Sequence, residues 1–156
     1  MLFNADPLTN PTMPKIIDIV LNSGSGSTAD ESADQITALF KDLGVEVRIH
    51  PLGGGANVEA VIRTVVESDA EIIVAAGGDG TVSAVAAAVS EAGKTLGVLP
   101  MGTLNNFSKD LGIPQELELA AATLVAGNKL EIDLGSVNGQ TFVNNSSIGL
   151  YPQIVR

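Results

Sequence analysis

Glu71-Ile72-Ile73-Val74-Ala75-Ala76-Gly77-Gly78-Asp79-Gly80-Thr81 runs an apolar stretch directly into a glycine-rich turn. After Glu71 the stretch is apolar at every position, as expected of a central parallel strand covered on both faces; a strand with one wet face would alternate. Beyond the turn, Val82, Val85, Ala86 and Val89 recur at helical spacing before Gly93. Strand, glycine turn and helix therefore follow one another without a linker.

The same alternation extends in both directions. Upstream, Lys15 to Leu21 is a β-branched strand followed by the turn Asn22 to Ser27. Ile36, Leu39, Phe40 and Leu43 then form a helical stripe ended by Gly44, and Val45 to Ile49 is a second strand. After the loop Gly53-Gly54-Gly55 comes a second stripe, Val58, Val61, Ile62, Val65 and Val66. Downstream, Thr95 to Leu99 is strand four, Pro100 to Phe107 a polar loop, and a short helix runs to Leu111 before Gly112 and Pro114 break it. A fifth helix covers Gln115 to Ala126. Such alternation predicts an α/β fold, a Rossmann-like parallel sheet with right-handed crossovers and helices on both faces. The pattern then changes: Leu130 to Val137 and Gln140 to Val143 flank Asn138-Gly139, a strong signal for an antiparallel hairpin.

Composition narrows the function classes. The chain has 156 residues, 45% hydrophobic and 17% charged, which fits one packed domain and excludes a disordered tail. Four Phe, one Tyr and no Trp leave no stacking platform for single-stranded nucleic acid. Eighteen acids against eight bases give −10, the wrong sign for phosphate backbones or anionic headgroups, so no nucleic-acid partner is expected and an anionic ligand must be held locally. With no Cys and a single His50, disulfides, thiolate catalysis and Cys- or His-based metal sites are excluded, and no protein metal site is expected. Residues 1–14 read as an irregular leader with no signal-peptide pattern, and residues 15–156 as the domain. No apolar run approaches the roughly 20 residues of a membrane span, and a cytoplasmic location is expected. The apolar ending Ser147 to Arg156 lacks the polar character usual at a domain end, as in a fragment.

In a parallel sheet, the turns after strands one, three and four converge on one edge, the candidate ligand site. Gly77-Gly78-Asp79-Gly80-Thr81 offers backbone without Cβ atoms and the positive end of a helix dipole, features that suit phosphate. Asp79 would repel bare phosphate, so the turn calls for a divalent cation, a hydroxyl donor or a lysine as well, which a magnesium nucleotide satisfies. The same residues also read as a tight turn with Asp79 or Thr81 as N-cap. Gly24-Ser25-Gly26-Ser27-Thr28-Ala29 fits the dinucleotide pattern G-x-G-x-x-A, but the acid wanted at the end of strand two is absent: Glu46 begins that strand and His50 lies near its end. A plain flexible loop is the other reading of that segment. His50 alone reads as a surface or loop residue. Gly102-Thr103-Leu104-Asn105-Asn106 reads either as a helix entry capped by Thr103 or Asn105 or as a reader of a nucleotide's polar atoms. Asp30, Glu31 and Asp34 form a solvated face, and Met101 and Phe107 belong to the core.

Together, Gly77-Gly78-Asp79-Gly80-Thr81 and Leu99-Pro100-Met101-Gly102-Thr103-Leu104-Asn105-Asn106-Phe107-Ser108-Lys109-Asp110-Leu111-Gly112 resemble the catalytic region of the diacylglycerol kinase family, which includes bacterial lipid kinases and sphingosine kinases. The resemblance runs from about Lys15 to the last residue. Asn22, Ser23 and Gly24 stand in the family's Asn-Pro-x-x-Gly loop with Ser23 in place of the proline; Asn105-Asn106 replaces Asn-Asp, and His50 aligns with a Thr. These departures bear on the ribose and adenine contacts more than on the phosphate loop. The resemblance implies transfer of the γ-phosphate of ATP, with magnesium, to a lipid hydroxyl such as that of diacylglycerol. It implies Gly77, Gly78, Asp79, Gly80, Thr81, Val82 and Ser83 around the phosphates and Asp79 as the catalytic residue near the metal or acceptor. Gly102, Thr103, Asn105, Asn22, Ser23, Gly24 and His50 complete the nucleotide site. It further implies a second, β-rich sandwich domain, reached through the hairpin, that supplies the catalytic base, metal carboxylates and much of the lipid site. The 156 residues alone are then expected to be inactive, with peripheral membrane contact through the lipid and self-association through an uncovered apolar surface. NAD kinases share the Gly-Gly-Asp-Gly-Thr turn and remain an alternative, as do a dinucleotide-binding oxidoreductase and a non-catalytic binding module.

Overall fold

The computed structural model describes residues 16–22, 27–53, 55–138 and 140–143. β1 (Ile16–Leu21), β2 (Glu46–Pro51), β3 (Ile72–Gly77) and β4 (Thr95–Pro100) form a parallel sheet in the order β2-β1-β3-β4. The connections are α1 (Ser27–Asp42), α2 (Val58–Val66) and α3 (Asp79–Glu91); α4 (Asn106–Asp110) and α5 (Leu117–Ala126) follow β4. The chain leaves β1 toward β2 on one side and returns to β3 on the other, which puts the direction change, and hence a crevice, at the C-terminal ends of β1 and β3.

Apart from Asp18 in β1, the central strands are apolar on both faces because helices cover both. Ile17, Ile19 and Leu21 of β1, with Ile72, Val74 and Ala76 of β3, pack with Ile36 and Phe40 of α1 and Ala120 and Ala121 of α5. The opposite face buries Val20, Ile73 and Ala75 with Ile62 and Val65 of α2, Val82, Val85 and Val89 of α3, and Phe107 of α4. Period two in the strands and period 3.6 in the helices thus meet in two cores, one on each side of the sheet. α5 packs closely on β4 at Gly97, where a Cβ would lie 2.7 Å from Leu124 Cδ2 and also 2.8 Å from Val74 Cγ2 of β3. Helix α1 ends, as the sequence predicts, near Gly44, whose φ of +77° is the left-handed conformation of a helix stop.

The α/β class, the parallel sheet and the terminal hairpin agree with the sequence reading. The hairpin is shorter than expected: β5 (Gly135–Val137) pairs antiparallel with β6 (Gln140–Phe142), and 130–134 carries no strand pairing among the described residues. Pairing is described over three residues on each strand, and Leu130 lies 72% exposed. Asn138 takes φ of +50° at the turn, a conformation Asn tolerates. Gly54 and Gly139, the leader, the Ser23–Gly26 segment and the last thirteen residues lie outside the described residues. Among the described residues, no helix is long and apolar enough to cross a membrane.

Candidate functional site

The turns after β1, β3 and β4 are tied together by backbone before any side chain enters. The Asn22 amide donates to the Ala76 carbonyl at 2.8 Å, and the Met101 amide donates to the Gly77 carbonyl at 3.1 Å. Gly78 and Gly102 then meet face to face: a Cβ on Gly102 would lie 2.3 Å from Gly78 Cα and 3.0 Å from Gly78 N. No side chain fits between these two turns, so the glycines are required by a close approach of main chain to main chain. The space bounded by Gly78, Asp79, Pro100 and Asn105 is too small for a water molecule.

Gly78 is the N-cap of α3, with φ −88° and ψ −176°, and as a glycine it brings no capping side chain of its own. Neither Asp79 nor Thr81 serves as that cap; Asp79 is the first residue of the helix, and Thr81, 7% exposed, is turned inward. Thr81 Oγ1 accepts from Asn22 Nδ2 at 3.0 Å, which fastens the exit of β1 to the first turn of α3. The same hydroxyl would lie 2.7 Å from a Cβ on Gly77, so Gly77 too is selected by contact. The first-turn amides of α3 thus point, with the positive end of its dipole, toward the edge shared by β1, β3 and β4.

The β4 turn carries its own bracing. Asn105 sits in the left-handed region, φ +51° and ψ +44°, and caps no helical amide with its side chain. Instead its Oδ1 accepts from the Gly102 amide and its Nδ2 donates to the Gly102 carbonyl, both at 2.9 Å. The cap for α4 comes from elsewhere: Asp79 Oδ1 accepts from the Phe107 amide at 3.0 Å, and Asp79 Oδ2 accepts from the Asn106 amide at 3.1 Å. Buried Ser108 donates to the Asn105 carbonyl at 3.0 Å and accepts from Gln115 at 3.0 Å. Lys109 Nζ donates to the Leu104 carbonyl at 2.6 Å. Thr103 and Leu104, at the tip, are exposed.

Of the residues singled out from the sequence, Asn22, Gly77, Gly78, Asp79, Gly80, Thr81, Gly102, Thr103 and Asn105 gather at this edge. Ser83 follows half-buried in α3, while the Val82 side chain belongs to the core. Ser23 and Gly24 lie outside the described residues. His50 is on the edge strand β2, two strands from β3, and is not a loop residue: its Nε2 is 3.1 Å from Asp18 Oδ1. Phe107 is buried and Met101 packs against the first core, as expected.

That histidine belongs to a charge cluster that periodicity in β1 hides. Asp18 is fully buried in an otherwise apolar strand and accepts from Arg48 Nε at 2.6 Å and Arg48 Nη2 at 3.0 Å. Arg48 Nη2 also donates to Asp69 at 2.6 Å. Burial by itself would push the Asp18 carboxyl up, but hydrogen bonds from Arg48, Ser68 and His50 and the guanidinium charge outweigh it and hold it below the usual carboxylate range. The one signal in sequence was a lone acid within an apolar run.

With this geometry in place, the likenesses to known proteins become specific. The profile of the diacylglycerol kinase catalytic domain matches residues 17–137. A Klebsiella pneumoniae (strain 342) protein named "Probable lipid kinase YegS-like" is 32% identical over 139 residues, 87% of this chain and 46% of that protein. The Bacillus subtilis (strain 168) protein named "Diacylglycerol kinase" is 37% identical over 113 residues, 70% of this chain and 37% of that protein. A crystal structure described as a diacylglycerol kinase from Bacillus anthracis str. Sterne superposes with a TM-score of 0.69 at 25% identity, covering 85% of this chain and 50% of that one. The chain therefore spans about half the length of the relatives it matches. The matched region runs from the second residue of β1 to the end of β5 and takes in every turn of the edge just described, and the chain belongs to the diacylglycerol kinase catalytic domain family.

Proposed function

We propose that this chain is the nucleotide-binding half of a lipid kinase that moves the γ-phosphate of ATP to a lipid hydroxyl such as that of diacylglycerol. The observation that carries the reading is the contact of Gly78 with Gly102, which brings the glycine-capped start of α3 and the exposed Thr103 turn to one edge. Phosphate oxygens would be met by main-chain amides of the first turn of α3, and the Thr103 side would face the rest of the nucleotide. Asn22, through Thr81, holds that first turn against β1 and so sets where the amides point.

Magnesium, when bound, would neutralise charge on the triphosphate as it is transferred. The acid at this edge is Asp79, whose oxygens already accept from two amides, and among the described residues no three His, Asp or Glu cluster as a metal site. The ion thus fits as a passenger on the nucleotide. Catalytic base, metal carboxylates and lipid site fall in this reading to the part of the relatives that this chain does not span. Contact with a membrane surface would come from the lipid acceptor, since the net charge of −10 opposes anionic headgroups.

Two assays test the reading. Calorimetric titration of the 156-residue chain with magnesium ATP should give saturable binding, and NADH should compete poorly. With labelled ATP and diacylglycerol vesicles the chain should transfer little phosphate. Preference for NADH would favour a dinucleotide enzyme, and full lipid kinase turnover would overturn the assignment of a half-site.

A further inference from the structure

The edge is cross-braced by a carboxylate that accepts from two amides 27 and 28 residues away. α4 begins at a residue in the left-handed region whose side chain is committed to Gly102, so its first amides have no local cap. Asp79 supplies it, one oxygen to each of the Asn106 and Phe107 amides. Both are hydrogen bonds to an ionised acceptor, roughly twice as strong as neutral ones. The route is closed: Asp79 to Asn106 and Phe107, back through Asn105 to Gly102, and from Gly102 onto Gly78, the neighbour of Asp79. The Thr103 tip is thereby held at both ends.

We infer that Asp79 is a positioning residue for nucleotide binding, acting through the Asn106 and Phe107 amides to set the Thr103 turn against the start of α3. This rests on the nucleotide reading above and deepens it. A carboxylate that held the metal or the acceptor would be chosen for charge. A carboxylate that braces the turn is chosen for having two acceptors and no donor, which Asn cannot imitate: its NH2 would face a main-chain N–H. The two roles also differ in which part of the ligand feels a change. Bracing concerns the spacing of the two turns, felt by a ligand that spans both; metal binding is felt by the phosphates alone.

Asp79→Asn separates them. In the intact chain, affinity for magnesium ATP should fall roughly tenfold, while affinity for magnesium tripolyphosphate, which needs only the α3 turn, should stay within about twofold. Hydrogen exchange at the Asn106 and Phe107 amides should accelerate. Equal losses for ATP and tripolyphosphate, with exchange at those two amides unchanged, would overturn the proposal and return Asp79 to the phosphates or metal. If the unaltered chain bound neither ligand, the nucleotide reading would fail by itself, and the exchange result would still decide whether the brace exists.

Discussion

Gly102 shows how much one hydrogen atom in place of a methyl can decide. A Cβ there would press to 2.3 Å from Gly78 Cα and 2.8 Å from Asn105 Oδ1, backbone on one side and a committed amide on the other. Gly102→Ala should cost on the order of 2 kcal/mol in urea unfolding, as overpacking does, and should abolish ATP binding because the two turns must part. Asp18 answers to a different force. Its carboxyl is held below the usual range, so its folded value lies under its unfolded value. The stability it contributes is then present above the unfolded value of about 3.9 and lost as pH falls through the lower folded one. Acid titration of folding should show this loss, and Asp18→Asn should remove it. These residue roles were unevenly legible. The glycines of the two turns could be read as sites of close approach, whereas the bracing by Asp79 could not, because its partners are remote in sequence and are main-chain amides. His50 invited a surface or loop reading because nothing near it in sequence indicates a buried acid on the neighbouring strand.

Elements were more legible than residues. Uniformly apolar β3 and the stripes of α1, α2 and α3 have periods that allow one interpretation each, and they appear within two residues or so of their expected bounds at most ends. The hairpin was right in kind, and among the described residues its pairing covers three residues a side, Gly135–Val137 with Gln140–Phe142. Helix α5 is positioned by a missing side chain on the strand beneath it. Gly97→Ala should bring its methyl into Leu124 and Val74 and lower stability by about 1–2 kcal/mol; because the Leu124 obstacle is the tip of a side chain, adding Leu124→Ala should relieve that part of the clash. A double-mutant cycle with a coupling energy near zero would show that α5 does not rest on β4 in this way.

For the whole molecule, strand order matters more than any single element. The order β2-β1-β3-β4 places the β1 and β3 exits side by side and the β4 exit next to them, which brings residues from three distant segments to one edge. The sequence pointed to a parallel sheet and convergent turns through the alternation of periods, but not to the order of strands, since no local pattern encodes which strand lies beside which. The central claim is that the β3 and β4 turns together hold a nucleotide. Amide chemical-shift mapping of the labelled chain during titration with magnesium ATP tests it most directly. The largest changes should fall in Gly77–Ser83 and Gly102–Asn106, with Asn22 alongside; changes centred on β2 or on the Gly135–Phe142 hairpin, with those two turns unmoved, would contradict it.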